Sequence, residues 1–187
     1  MCAGRGAPDR RGWLRLLGLS LLLSSGFALA QEAATLEVKV GASAPRRFGL
    51  AELAALPQAE LVEARSIGAG KDGAGKDGAG ATRAEVRWRG VLLRDLLDAA
   101  GMQDLERRAL RRSAIVARAT DDYVVLFSWG ELFNARLGEH VLVITSVDGK
   151  PLLPSEGPYA LRSLSDTKSG PRHVKWLRQL EVFTAPR

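Results

Sequence analysis

The sequence predicts one compact α+β domain, a mixed β-sheet accompanied by short helices. Three observations lead there. Apolar runs of strand length are interleaved with short stretches of helical spacing, without the regular βαβ rhythm of a doubly wound sheet. Turn signals, Asp121-Asp122 and Asp148-Gly149, separate several of those runs. The stretch 31–187 has the length of a single domain with its own core.

Residues 1–30 read as an export signal. Arg5, Arg10, Arg11 and Arg15 precede the apolar run Leu16 to Leu23, and Ala28-Leu29-Ala30 offers the small-x-small pattern cut by a signal peptidase. The run is shorter than the roughly 20 residues of a bilayer-crossing helix, and no second one follows. The expected product is periplasmic or secreted and does not span a membrane after cleavage. Arg10-Arg11-Gly12-Trp13-Leu14-Arg15 resembles the twin-arginine signal of proteins that fold, and often load a cofactor, before export. The Leu-rich core fits Sec export equally, and both routes stay open.

Beyond the leader, Thr35 to Val40 alternates as a first strand, and Pro45 with Arg46-Arg47 makes a turn. Leu50, Leu53, Ala54 and Leu56 recur at helical spacing until Pro57 stops them. Leu61 and Val62 suit a second strand. Gly68 to Ala81 repeats Gly-Ala-Gly-Lys-Asp and contains Gly-x-Gly-x-x-Gly twice, from Gly68 and from Gly73. A dinucleotide site would need a helix next; the alternation of Ala84, Val86 and Trp88 is a strand instead, so 68–81 reads as a flexible surface loop.

Leu92, Leu93, Leu96, Leu97 and Ala100 mark a helix that Gly101 can end. Arg107, Arg108, Arg111 and Arg112 form a solvated basic face or a contact for an anionic partner. Ile115 to Ala119 and Tyr123 to Phe127 form a strand pair, and Ser128 with Glu131 fits a capping box opening a short helix. His140 reads as structural. Val141 to Val147 is a continuous apolar strand expected at a sheet centre. Pro151, Pro154 and Pro158 keep the next stretch irregular, and a last strand lies near Leu180 to Phe183. Trp88, Leu96, Leu97, Val143, Ile144 and Trp176 are expected in the core.

Charge and cysteine content narrow the chemistry. Four arginines and one aspartate belong to the leader, which halves the formal net charge of +6 and leaves no broad field for nucleic acid. The single cysteine, Cys2, also lies in the leader, so the exported part has no disulfide, thiolate ligand or cysteine nucleophile.

Four segments, in order, resemble the molybdopterin-binding domain of the sulfite oxidase family: Trp88-Arg89-Gly90-Val91-Leu92-Leu93-Arg94-Asp95-Leu96-Leu97; Ala119 to Tyr123 leading through Ser128 to Glu131-Leu132; Val141 to Ile144 followed by Asp148-Gly149-Lys150-Pro151-Leu152; and Gly170-Pro171-Arg172-His173-Val174-Lys175-Trp176-Leu177 with Leu180-Glu181-Val182. The resemblance implies that family's fold and a molybdopterin cofactor whose phosphate lies beside the last segment. The residue types suit a phosphate: Arg172 for a two-pronged contact, Lys175 as a point charge, Gly170 for exposed amides, His173 as a further donor, and Lys168 just before them.

One departure stands against a metal. Family members that turn over substrate hold molybdenum with a cysteine sulfur placed between the second strand and the aromatic-Gly-Val segment. Here that region reads Ala64-Arg65-Ser66-Ile67, and Ser66 is the nearest polar residue, a hard hydroxyl in place of a soft thiolate. Two functions follow: an exported molybdenum-cofactor-dependent oxidoreductase, or a non-catalytic periplasmic binding or accessory module that keeps the fold without the metal. The partners implied are a pterin or other small anionic ligand and a membrane-bound redox or sensor protein.

Overall fold

The computed structural model describes residues 34–67, 82–168 and 170–186; the expected leader and the glycine-rich loop lie outside them. Strand β1 (Leu36–Val40) alternates as expected, burying Leu36, Val38 and Val40. It runs parallel to β11 (Leu177–Thr184) and antiparallel to β2 (Arg46–Phe48). The expected turn at Arg46-Arg47 is therefore a strand. The chain reverses earlier, at Gly41 with φ of 57°, and Phe48 is drawn in to bury opposite Leu36. Helix α1 (Leu50–Ala55) buries Leu53, and the Gln58 amide donates to the carbonyls of Leu53 and Leu56 at its end.

The first sheet has the order β2-β1-β11-β5-β6. Its β5 (Ser113–Ala119) and β6 (Val124–Ser128) pair antiparallel about Asp122, which takes the left-handed conformation at φ 65°. The second sheet has the order β10-β9-β7-β4-β3, with β8 (Lys150–Pro151) on the end of β7 (Val141–Val147). Strand β3 (Gln58–Ile67) pairs along its whole length with β4 (Thr82–Leu92). It is longer than the apolar pair Leu61-Val62 suggests, because the backbone ladder holds it while Val62 stays 55% exposed. Ser66 consequently lies within a strand, in register with Arg83.

Strand β7 is central: it pairs with β4 and with β9 (Ala160–Ser163). The β4–β7 register shifts between Arg89 and Gly90. A Cβ on Gly90 would stand 1.9 Å from the Val143 carbonyl oxygen, so only glycine admits this approach. Asp148 and Gly149, both at positive φ, make the hairpin into β8. Helices α2 (Leu93–Ala99) and α4 (Trp129–Phe133) follow the expected pattern, with Gly101 at φ 97° ending the α2 segment, and the basic stretch forms a further short helix, α3 (Arg107–Leu110), with Arg107 and Arg108 exposed. The Ser128–Glu131 capping box opens α4 as the sequence implies.

One large core joins both sheets and the helices: Leu36, Val38, Ile115, Phe127 and Leu180 from the first sheet, Val91, Val143 and Leu161 from the second, and Leu53, Leu96 and Leu97. A second cluster, Trp88, Leu142, Ile144, Leu152 and Ala160, lies on the other face of the second sheet. Trp176 departs from expectation. It takes φ of 52° and is 41% exposed, because the chain kinks between β10 (His173–Val174) and β11 and turns its side chain outward against Gly157. Leu177 is buried in its stead.

Candidate functional site

The segment from Ser163 to Leu177 brings the charged residues together. Strand β10 pairs antiparallel with β9, setting His173 opposite Arg162 and Val174 opposite Leu161. Strand side chains alternate between faces. Val174 and Leu161 enter the large core, so His173 and Arg162 stand on the other face, beside Trp88.

Arg172 precedes His173 and turns to the core side. Its Nε and Nη2 donate to the two oxygens of Asp166 at 2.7 and 2.5 Å, its Nη1 donates to Glu131 at 3.2 Å, and its guanidinium lies 4.9 Å from the centre of the Phe127 ring. This is the two-pronged geometry that arginine makes with a carboxylate. Asp166 also accepts from the Ser163 hydroxyl at 2.7 Å. Burial raises the Asp166 pKa, but the Arg172 and Ser163 hydrogen bonds and the guanidinium charge outweigh it, leaving the group below its ordinary value. Glu131 behaves alike: burial raises it, and the Ser128 cap with Arg172 brings it below the ordinary value. The Asp166 hydrogen bonds raise Arg172 in return.

On the opposite face, Arg162 is almost wholly buried. It donates to Glu63 at 2.5 Å and to His173 Nδ1 at 3.2 Å, and covers the Trp88 ring at 4.8 Å. Trp88 Nε1 donates to the other Glu63 oxygen at 3.2 Å. A guanidinium can only donate, so Nδ1 of His173 accepts and the ring proton sits on Nε2. That atom faces Glu156 Oε2 at 2.9 Å, yet neither makes a well-aligned hydrogen bond among the described residues. Burial lowers the His173 pKa, Glu156 raises it, and the charges of Arg162 and Lys175 lower it again; the outcome is an imidazole held below its ordinary value. The other Glu156 oxygen accepts from Lys175 at 2.7 Å.

The expected site residues thus fall into three places. His173 and Lys175 meet on Glu156, while Arg172 is held on the far face by Asp166 and Glu131. Lys168 and Gly170 lie on an exposed shoulder: Lys168 pairs with no carboxylate among the described residues, and a Cβ on Gly170, at φ 123°, would meet nothing within 4 Å. Ser66 sits in β3, and its side chain lies outside the described residues. Sequence reasoning missed the carboxylate partners Glu63 and Glu156 and the buried Arg162. They come from strands and loops remote in sequence, and a lone Arg in a proline-rich stretch carries no periodic signal.

The donor set does not suit a molybdenum centre. The chain's only cysteine is Cys2, outside the described residues, and among the described residues no three His, Cys, Asp or Glu side chains gather as a metal site. For a phosphate, Arg172 and Lys175 are each paired with carboxylates of the chain itself, His173 faces Glu156 without a well-aligned hydrogen bond, and Lys168 pairs with no carboxylate among the described residues.

Residues 27–187 match the family model of the oxidoreductase molybdopterin binding domain, and the chain belongs to that family. No curated protein matches the sequence. Among solved structures, the sulfane dehydrogenase SoxCD from Paracoccus pantotrophus is similar, with a TM-score of 0.58 and 19% identity over 82% of this chain. The fold is therefore the sulfite-oxidase type, and this chain spans 39% of that protein's chain.

Proposed function

We propose that the chain is an exported, periplasmic member of the molybdopterin-binding-domain family that works as a binding or accessory module, taking a pterin or another small organic anion without molybdenum. The carrying observation is the closure of the last segment's cations by carboxylates: Arg172 by Asp166 and Glu131, and Lys175 by Glu156. A bound oxyanion would have to displace those partners, whereas Lys168 and Gly170 are exposed. A membrane-bound redox or sensor protein is the partner this reading calls for.

A second reading, a molybdenum-cofactor-dependent oxidoreductase, is favoured by the family match over 27–187. Its soft ligand would have to come from outside this chain's exported residues. Two measurements on protein purified from a host that makes the cofactor separate the readings. Molybdenum near one per chain supports the oxidoreductase and overturns the metal-free module. Metal-free protein whose melting temperature rises with a pterin or organic anion, and whose response is lost in Lys168→Ala, supports the module; a flat response across such ligands overturns it.

A further inference from the structure

Each sheet ends in edge strands whose unpaired backbone must be protected or used. The first sheet ends in β2 and β6, the second in β10 and β3. Strand β2 has three residues and exposes Arg46 and Arg47; β10 has two residues; β3 carries Glu60, Glu63 and Arg65. All three are short or charged, as protected edges are. Strand β6 differs. Tyr123 to Trp129 contains no charge, proline or glycine, and is rich in β formers.

Its backbone is open as well. Ala119 N–H donates to the Tyr123 carbonyl, which makes that pair hydrogen-bonded in the β5–β6 register. Bonded pairs alternate with non-bonded ones, so Val125 and Phe127 also bond to β5, while Val124, Leu126 and Ser128 turn their N–H and C=O groups to the free edge. The Ser128 N–H is taken by Glu131 at 2.7 Å. Val124 and Leu126 meet no backbone partner among the described residues outside the sheet. Their side chains are 39% and 60% exposed, on a face continued by Val116 opposite Leu126 and by Phe183, itself 55% exposed.

We infer that β6 is the interface for a second copy of this chain, two β6 strands pairing antiparallel about a twofold axis to join two first sheets into one. The register is determined. With Val125 on the axis, Val124 meets Leu126 of the second copy and Leu126 meets its Val124, so every open N–H and C=O of both residues is satisfied. A register centred on Leu126 would instead need the Ser128 N–H, which the helix cap already holds. The uncharged segment pairs with itself without like-charge repulsion, and the exposed Val124 and Leu126 side chains of both copies pack together on the outer face.

The test is the mass of the full chain in solution by light scattering, with two kinds of variant. A dimer that becomes a monomer in Leu126→Lys and in Val124→Lys, each still folded by circular dichroism, is the expected result. Val125→Cys, in a chain carrying Cys2→Ser, places two thiols across the axis at a Cα separation of about 4.5 Å, within reach of a disulfide. It should oxidise to a covalent dimer. A monomeric wild-type mass overturns the inference and leaves the edge to a strand of another protein. A dimer whose mass survives both lysine substitutions, or that gives no Val125→Cys cross-link, also overturns it.

Discussion

Arg172 and His173 are adjacent in the chain, yet their side chains leave opposite faces of the β10 backbone, one to Asp166 and the other toward Glu156. The two-residue period of a strand dictates this separation. A segment that reads as one cationic cradle is therefore two salt-bridged clusters back to back, and each makes its own demand on stability.

Removing Arg172 strands the Asp166 and Glu131 carboxylates. Arg172→Ala should lower unfolding stability by about 1.5–3 kcal/mol, the range for hydrogen bonds to charged groups. Arg172→Lys should recover only part, since an ammonium cannot make the two-pronged contact. Urea denaturation of the two variants beside wild type checks the order.

The buried Arg162–Glu63 pair should be more sensitive. Arg162→Met leaves Glu63 without its guanidinium partner and should cost about 3–5 kcal/mol. The double variant Arg162→Met with Glu63→Leu should lose less than the single one, because no lone charge remains. A double-variant loss equal to the sum of the Arg162→Met and Glu63→Leu losses would show that the pair is not coupled.

Stability should fall with acid in two stages. His173 is held below its ordinary value of 6.5 in the fold. The unfolded chain thus takes up its proton first, and the stabilisation present above 6.5 declines as pH drops from there toward the folded value. Asp166 and Glu131 lie below their ordinary 3.8 and 4.5. Their contribution is complete above 4.5 and is lost as pH falls through the folded values. Urea midpoints measured against pH should show both stages in wild type; His173→Gln should remove the first and Asp166→Asn should weaken the second.

Gly90→Ala should fail to build the β4–β7 ladder. The added methyl would lie 1.9 Å from the Val143 carbonyl oxygen, a backbone atom that cannot swing aside. A cost of about 3 kcal/mol or more is expected, read as lost soluble yield or a large drop in melting temperature.

Much of the fold is legible in the sequence because its elements are local. Leu93, Leu96 and Leu97 announce α2, Ser128 with Glu131 announces α4, and Asp148-Gly149 announces the hairpin out of β7. What escapes is set by partners far along the chain. Arg46-Arg47 becomes a strand only because β1 is there to pair with it, and β3 extends through Ser66 only because β4 runs beside it. Trp176 looks like core until a positive φ turns it outward. At the site, the cationic residues are readable from their types, whereas Glu156, seventeen residues before His173, and Glu63, still earlier, become their counterparts only through the second sheet.

The parallel pairing of β1 with β11 carries a consequence for biogenesis. Strand β11 sits between β1 and β5, so the β1–β2 ribbon has no further neighbour in its sheet until β11 has left the ribosome. Pairs such as Val38 with Leu180 form only once β11 has been synthesised. A nascent chain that still lacks β11 is therefore incomplete as a fold, because a pairing this remote in sequence cannot form early.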